Sequence, residues 1–260
     1  MSKTIVGDLV KKTRALDGRN EGSLKTSEPI CSGNTKTGFS LNFPIMGTCR
    51  PTKVCAKICY GAVKGRPITW DKSLLKYLRI HRYFKTENPE TIADRIHKEY
   101  VSRKMQFLRW NGVGDLFPEA VEVINIMARK YPDDLLWVVT RKPEMAAKIS
   151  RSARNVYVMF SLDSDPDSRK RRARMARHRH PRLYYSFLRE NTNDDTLGSR
   201  IVFNSQQMKK HLPFDDPRTT CPVDAGKIEL KNACASCRNC FSPRALDGAT
   251  HPHTKFGRRR

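Results

Sequence analysis

The stretch that decides the fold is LLWVVTRKPEMAAKISRSARNVYVMFSL, residues 135–162, in which two apolar segments enclose a short helical one. Leu135–Thr140 and Asn155–Leu162 are almost wholly apolar, which predicts strands that are buried on both faces. Pro143–Ser150 predicts a short helix that begins with its proline. Because parallel neighbours need a crossover between them, this strand–helix–strand unit predicts a parallel sheet.

The same alternation continues on both sides of this unit. Further strands are predicted at Thr37–Ile45, Met105–Trp110, Leu183–Leu188 and Arg200–Phe203, and further helices at Trp70–Phe84, Pro89–Arg103, Pro118–Lys130 and Ser168–His180. Such units form either an open doubly wound sheet or a barrel, and we favour an α/β, TIM-barrel-like fold, partial or complete. No G-x-G-x-x-G turn follows a strand, which argues against a dinucleotide-binding fold.

The sequence divides into three parts by composition. Residues 1–37 are polar and predict an N-terminal arm with little structure of its own, and residues 38–212 hold the barrel-like catalytic domain. Residues 213–260 form a cysteine-rich metal-binding segment with a basic tail.

The charge of the chain is strongly basic, with 50 Lys and Arg residues against 26 Asp and Glu residues and a net charge of +24. A field of this sign attracts polyanions, which predicts a nucleic-acid partner. No apolar run reaches the about 18 residues that a membrane span needs, so we expect no membrane partner and a cytoplasmic location. Thiols stay reduced there, which favours metal ligation over disulfides for the eight cysteines.

Four cysteines near the C-terminal end are spaced C-x12-C-x2-C-x2-C, a pattern typical of metal sites. Four thiolates suit tetrahedral zinc, with an iron–sulfur cluster as the alternative. All four positions are filled by protein, which indicates a structural site. The four residues are Cys221, Cys234, Cys237 and Cys240, and either His251 or His253 lies close enough in sequence to replace one of them.

A second group, Cys49, Cys55 and Cys59, follows the first predicted strand and indicates a second metal site. Three cysteines leave one coordination position open, unless Cys31 completes the set. The loop carries an aromatic residue after its last cysteine and looks like the cluster loop of radical S-adenosylmethionine enzymes, where the usual spacing is C-x3-C-x2-C.

Two carboxylates follow predicted strands directly. Asp115 ends the turn Asn-Gly-Val-Gly-Asp, and Asp163 follows the segment Asn155–Leu162. In an α/β barrel the carboxyl ends of the strands meet at one mouth, where such groups act as nucleophile or general base. The structural alternative for each is a helix N-cap.

The segment Ser168–His180, SRKRRARMARHRH, places positive charges all around a predicted helix. Bound phosphates would relieve their mutual repulsion, which predicts a DNA-binding helix beside Asp163; the alternative is a solvated charged surface. The residues concerned are Arg169, Lys170, Arg171, Arg172, Arg174 and Arg177.

Taken together, GFSLNFPIMGTC, CAKICYG, RWNGVGD, VVTRKPE and ACASCRNCF look like the phage gene product 88 group. Some such proteins resemble DNA 7-deazaguanine transglycosylases, distant relatives of tRNA-guanine transglycosylase. The resemblance implies a barrel enzyme in the host cytoplasm that exchanges guanine in double-stranded DNA for a 7-deazaguanine base of the preQ0 type. Such an exchange shields phage DNA from host restriction.

This activity requires a carboxylate that displaces the base from C1′ and a second acid that handles protons, and we expect Asp163 and Asp115, respectively, in these roles. The base must be flipped out of the duplex, at a cost of a few kcal/mol. Two alternatives remain: an iron–sulfur enzyme of the radical S-adenosylmethionine type that acts on nucleic acid or its precursors, and a non-enzymatic zinc-containing nucleic-acid-binding protein.

Overall fold

The computed structural model of the protein describes residues 5–19, 22–45, 47–62, 70–178, 180–204, 221–224 and 228–241. Within these ranges the helices are α1 (Ile5–Arg19), α2 (Lys53–Lys57), α3 (Asp71–Thr86), α4 (Pro89–Ser102), α5 (Pro118–Lys130), α6 (Pro143–Ala146), α7 (Pro166–Ala176) and α8 (Ala233–Cys237). The strands are β1 (Ser32–Asn34), β2 (Gly38–Ser40), β3 (Leu108–Trp110), β4 (Leu136–Thr140), β5 (Val156–Asp163), β6 (Leu183–Arg189) and β7 (Ile201–Asn204).

All seven strands form one sheet in the order of the sequence, from β1 to β7. The pair β1–β2 is antiparallel, and every later pair is parallel. This sequential order is that of a barrel, whereas the strand order of a doubly wound sheet reverses at a switch point. The predicted α/β class and parallel sheet are therefore confirmed. Pairing of β7 with β1, which would close a barrel, is not among the strand pairs of the described ranges.

The two faces of the sheet are covered differently. Along β4, Leu136 and Val138 belong to the main core, to which helices α3 to α7 all contribute buried side chains. Trp137 and Val139 alternate with them and lie on the opposite face. Helices α3 to α7 cover one face, whereas the short helix α8 and Phe241 cover only part of the other, so the rest of that face lines a cavity.

The starts of the helices explain why their predicted bounds are confirmed to within a few residues. The Asn88 side chain caps α4 by accepting a hydrogen bond from the backbone N–H of Glu90 at 2.8 Å. Asp165 caps α7 in the same way, accepting from the N–H of Asp167 at 2.9 Å. In both helices the next residue is a proline, whose fixed φ suits the first helical position.

The prediction of little structure in residues 1–37 is wrong. Helix α1 packs against α3, and Leu9 shares a buried cluster with Leu74 and Tyr77. An ion pair of 2.5 Å joins Lys12 Nζ to Asp71 Oδ1. The apolar residues of α1 are few and recur at helical spacing, so the polar composition concealed them.

None of the helices in the described ranges combines the length and the hydropathy that crossing a membrane requires. The predicted boundary at residue 213, the basic tail, and both His251 and His253 lie outside the described residues.

Candidate active site

Asp163, the last residue of β5, is fully buried, and both of its carboxylate oxygens accept hydrogen bonds. Its Oδ2 accepts hydrogen bonds from Arg141 Nη1 at 2.6 Å and from the Thr52 hydroxyl. Its Oδ1 accepts from Ser168 Oγ at 2.7 Å and from the backbone N–H of Asp165 at 3.1 Å. Both oxygens are thus engaged in holding neighbouring segments, and the role of Asp163 as nucleophile stays a prediction.

Asp115 lies after β3 at the same edge of the sheet and lines the cavity. Its Oδ1 accepts hydrogen bonds from Thr140 Oγ1 at 2.6 Å and from the N–H of Leu116 at 2.7 Å, and its Oδ2 accepts from the N–H of Arg141 at 3.2 Å. Burial raises the pKa of the Asp115 carboxyl, and these hydrogen bonds oppose that shift. The structure therefore brings both predicted acids to the carboxyl ends of the strands.

The cysteine loop, residues 47–59, follows β2 in the chain and lies at the carboxyl ends of the strands. Its three cysteines, Cys49, Cys55 and Cys59, line the cavity. Thr52 caps the short helix α2 by accepting from the N–H of Cys55 at 3.1 Å. Burial and the neighbouring Cys55 raise the pKa of the Cys59 thiol, and the cation of Arg141 acts in the opposite direction.

Four contacts fasten this loop to the strand ends. Thr52 donates to Asp163, and the N–H of Lys53 donates to Asp165 Oδ2 at 3.0 Å. The N–H of Asp115 donates to Thr48 Oγ1 at 2.9 Å. The fourth contact joins Arg171 Nη1 on α7 to the carbonyl oxygen of Arg50 at 2.8 Å. The strand-end aspartates thus position the cysteine loop.

The turn Asn111–Asp115 lies directly against the chain that follows β2. A Cβ at Gly112 would lie 2.2 Å from Asn42 Oδ1, and one at Gly114, whose φ is +79°, would lie 2.8 Å from Phe43. Both positions therefore require glycine. Asn111 has a φ of +59°, donates from Nδ2 to the Val139 carbonyl oxygen at 2.7 Å, and leaves its buried Oδ1 without a hydrogen-bond partner beside the cavity.

The four C-terminal cysteines gather against residues at the amino ends of the strands. Tyr184 of β6 donates a hydrogen bond to the carbonyl oxygen of Cys240, and the N–H of Cys234 donates to the Lys36 carbonyl oxygen at 3.1 Å. Burial raises the pKa of Cys234 to about 12 and that of Cys237 to about 11, and the neighbouring cysteines act in the same direction.

The remaining metal predictions concern ligand geometry and Cys31. As the side chains stand, no group of three or more Cys, His, Asp and Glu residues in the described ranges is arranged to hold a metal ion. Cys31 belongs to the main core and is absent from the described lining of the cavity; its backbone N–H donates to Glu99 Oε2 at 3.1 Å. Cys31 is therefore separated from the thiols of the cysteine loop.

One cavity of about 1020 Å³ joins these features, with the cysteine loop at the carboxyl ends of the strands and the four C-terminal cysteines toward the amino ends. Its wall includes Trp137, Met159 and Phe203 from the face of the sheet opposite α3 to α7. Within the described residues the lining holds seven Lys and Arg side chains against two Asp side chains. The cavity is therefore cationic overall, and its sheet side mixes apolar side chains with polar ones such as Ser161 and Ser186.

A sequence comparison places this geometry in a family. The sequence profile of the family described as Gene product 88 matches residues 8–243, which include both cysteine groups and all seven strands. The chain belongs to the Gene product 88 family. Searches among curated proteins and among solved structures gave no match.

In this member of the Gene product 88 family, the basic residues of α7 divide into two sets. Arg171 is half-buried and binds Asp167, and Arg172 lies with its guanidinium carbon 5.3 Å from the centre of the Tyr185 ring. The other four predicted DNA-binding residues, Arg169, Lys170, Arg174 and Arg177, are exposed.

Three residues at this site of the Gene product 88 protein were not predicted from the sequence: Arg141, Thr52 and Asn111. Arg141 directly follows β4, so the strand-end argument that singled out the aspartates applied to it equally. The sequence signal for Thr52 was weaker: a threonine is a common N-cap residue, and this one stands just before the short helix that contains Cys55. For Asn111 the signal was the Asn-Gly pair, which is typical of turns in which the asparagine has a left-handed conformation.

Proposed function

We propose that this protein is an iron–sulfur enzyme that acts on nucleic acid or its precursors, with the cluster held by Cys49, Cys55 and Cys59. The observation that carries the proposal is that one loop presents three thiols to a large cavity at the carboxyl ends of parallel strands. Three thiolates suit a cluster and leave one coordination position for a ligand. When bound, such a cluster would supply one-electron chemistry.

The residues around the loop have distinct roles in this proposal. Arg141, beside Cys55 and Cys59, offsets the negative charge of the thiolates. The Gly112–Gly114 turn packs against Asn42 and Phe43, in the segment that leads into the loop, and the Asn111 Oδ1 supplies a hydrogen-bond acceptor for the bound molecule. We further propose that the sequential sheet forms a partial barrel around the reactants, and that the protein works in the host cytoplasm.

The C-terminal cysteines serve a different purpose in the proposal. With four protein ligands, Cys221, Cys234, Cys237 and Cys240 form a closed set, which is the hallmark of a structural zinc site. Their contacts with β6 and with the turn before β2 support a role in fixing the C-terminal segment across the cavity.

The test is anaerobic purification followed by iron, sulfide and zinc analysis and by titration with S-adenosylmethionine. We expect brown protein that loses iron in the Cys49→Ser/Cys55→Ser/Cys59→Ser variant and keeps zinc. Cys31→Ala is the matched control, because Cys31 lies in the core, and it should keep both metals. Colourless wild-type protein that contains zinc alone would contradict the proposal.

Base exchange in DNA is the second candidate function. It is favoured by Asp115, a buried carboxyl with a raised pKa that lines the cavity on the same edge of the sheet as the basic helix α7. Here Asp115 handles protons, Asp163 attacks C1′, and double-stranded DNA and a 7-deazaguanine base are the partners. Incubation with duplex DNA and labelled base should then incorporate label, and incorporation by aerobically purified, iron-free protein would favour this candidate over the first.

A further inference from the structure

The cavity contains a second feature besides the cysteine loop, namely a wall in which cations lie against aromatic rings. The guanidinium carbon of Arg109 lies 5.0 Å from the centre of the Trp137 ring, and Lys36 Nζ lies 5.5 Å from the centre of the Phe203 ring. All four side chains line the cavity. Trp137 is only 2% exposed, so Phe203, which is partly exposed, is the ring of this wall that offers apolar surface beside the two cations.

The charge balance of the cavity favours an anionic occupant. Of the two acidic side chains in its described lining, Asp115 is engaged by Thr140 and two backbone N–H groups, and Asp224 lies 3.5 Å from Lys36 Nζ. The seven basic side chains of that lining therefore outnumber the acidic ones by five. A phosphate group is the biological anion that arginine and lysine recognise best.

The neutral polar groups of the cavity add a requirement for hydrogen-bond donors. Asn111 is 4% exposed, and its Oδ1 is a buried acceptor without a partner beside the cavity. A buried acceptor of this kind is unfavourable if it stays unmatched, so a bound molecule that donates an N–H to it would gain that interaction. The exocyclic and ring N–H groups of a nucleobase are such donors.

We propose that this cavity binds a single nucleotide, with its phosphate on two cations of the lining, Arg109 and Lys76 from α3, and its planar base against Phe203. The volume of about 1020 Å³ lies at the upper end for small-molecule pockets, which span about 300–1,000 Å³. The inference rests on the proposed function only in taking the cavity as the place where the reactant is held. The nucleotide comes either from a free pool or from one position of a DNA strand.

Binding is measured by calorimetry on the full chain, with the four 5′-deoxynucleoside monophosphates, the corresponding nucleosides and a short single-stranded oligonucleotide as separate probes. We expect at least one monophosphate, or the oligonucleotide, to bind about tenfold or more tightly than the nucleosides. Arg109→Gln and Lys76→Gln should each weaken that binding about tenfold, while Arg109→Lys retains most of it. A free nucleotide as the source predicts binding of the monophosphate, and a strand as the source predicts binding of the oligonucleotide alone.

The matched control is Arg129→Gln, because Arg129 is exposed on α5, outside the cavity, and should leave binding unchanged. Circular dichroism of each variant establishes that it is folded, and Lys76→Gln provides a second probe if Arg109→Gln does not fold. Binding of none of the probes, equal affinity for nucleosides and nucleotides, or unchanged binding by folded Arg109→Gln and Lys76→Gln would overturn the inference. Since binding needs no iron, this result is independent of the cluster analysis that tests the proposed function.

Discussion

Arg141 Nη1 lies 2.6 Å from Asp163 Oδ2, and this ion pair connects the end of β4 to the end of β5 behind the cysteine loop. The Asp163 carboxylate is fully buried and the Arg141 side chain is 13% exposed. Each charge therefore depends on the other, because a buried charge without a partner is strongly destabilising.

The first prediction concerns this pair. Asp163→Asn should lower the free energy of unfolding by about 3–5 kcal/mol, because the Arg141 charge stays buried without its partner. The loss of the Thr52 anchor should also speed the reaction of Cys55 and Cys59 with a thiol reagent. Urea unfolding and timed thiol labelling measure the two effects, with the exposed Asp133→Asn as control. Unchanged stability and labelling, together with the loss of a base exchange that the wild type catalyses, would show instead that Asp163 is the nucleophile.

The second prediction separates the two sets of basic residues on α7. We expect weaker DNA binding and an intact fold in the triple variant Lys170→Ala/Arg174→Ala/Arg177→Ala. The slope of the logarithm of the binding constant against the logarithm of the salt concentration should become shallower by about 0.9 for each phosphate that is no longer neutralised. Fluorescence anisotropy at several salt concentrations measures this. The control is Lys11→Ala/Arg14→Ala/Lys98→Ala at exposed positions of α1 and α4, which removes the same charge elsewhere, and an equal weakening in the control would refute a specific role of α7.

Arg171→Ala, in contrast, should act mainly on stability. Its guanidinium binds Asp167 and the carbonyl oxygens of Arg50 and Arg141, so its removal releases the cysteine loop from α7. We expect a lower melting temperature and faster thiol labelling at Cys55. A normal melting temperature combined with weakened DNA binding would show that Arg171 contacts DNA after all.

The third prediction concerns the glycine turn. An alanine Cβ at Gly112 would displace Asn42 Oδ1, which accepts from the N–H of Val113 at 3.1 Å. Gly112→Ala should therefore cost about 1–3 kcal/mol of stability, as overpacking typically does. Gly33→Ala is the control, because a Cβ there meets nothing within 4 Å, and it should stay within about 0.5 kcal/mol of the wild type. Equal effects of the two changes would mean that the turn is looser than these distances imply.

The fourth prediction is a pH dependence of stability. Burial lowers the pKa of His180 below its ordinary 6.5, with the cations of Arg182 and Arg151 acting in the same direction. The unfolded chain therefore takes up a proton before the folded chain does, so the free energy of unfolding falls as the pH drops below about 6.5. His180→Asn keeps an acceptor for the N–H of Arg182 and should show a shallower fall between about pH 7 and 5.

Thermal unfolding at several pH values tests this prediction. His178→Asn lies two residues earlier on the same segment and serves as the control, which should keep the wild-type slope. A slope that is the same in His180→Asn and the wild type would show that other groups account for the pH dependence.

From β2 to β7, apart from the short helix α2, the order of strands and helices followed from the sequence because it depends on local patterns: apolar runs, prolines at helix starts and capping residues. The edge at which Asp115 and Asp163 meet also followed, since carboxyl ends of parallel strands lie together. The hydrogen-bond partners of these aspartates could not be predicted, because the contact of Thr52 with Asp163 joins residues 111 positions apart and leaves no local pattern. Helix α1 was missed for a related reason, since its few apolar residues gain their meaning only from α3.

The stacking of Phe241 on Phe107, with ring centres 4.1 Å apart, has a consequence for synthesis of the chain. Phe241 also lies 5.3 Å from the Trp137 ring, so it covers residues of the middle of the sheet that were translated more than a hundred positions earlier. On the ribosome, β3 and β4 emerge with this aromatic surface uncovered, and it stays so until Phe241 leaves the exit tunnel. The nascent protein therefore exposes an apolar patch during about the second half of its translation, and its yield should depend on chaperones that bind such patches.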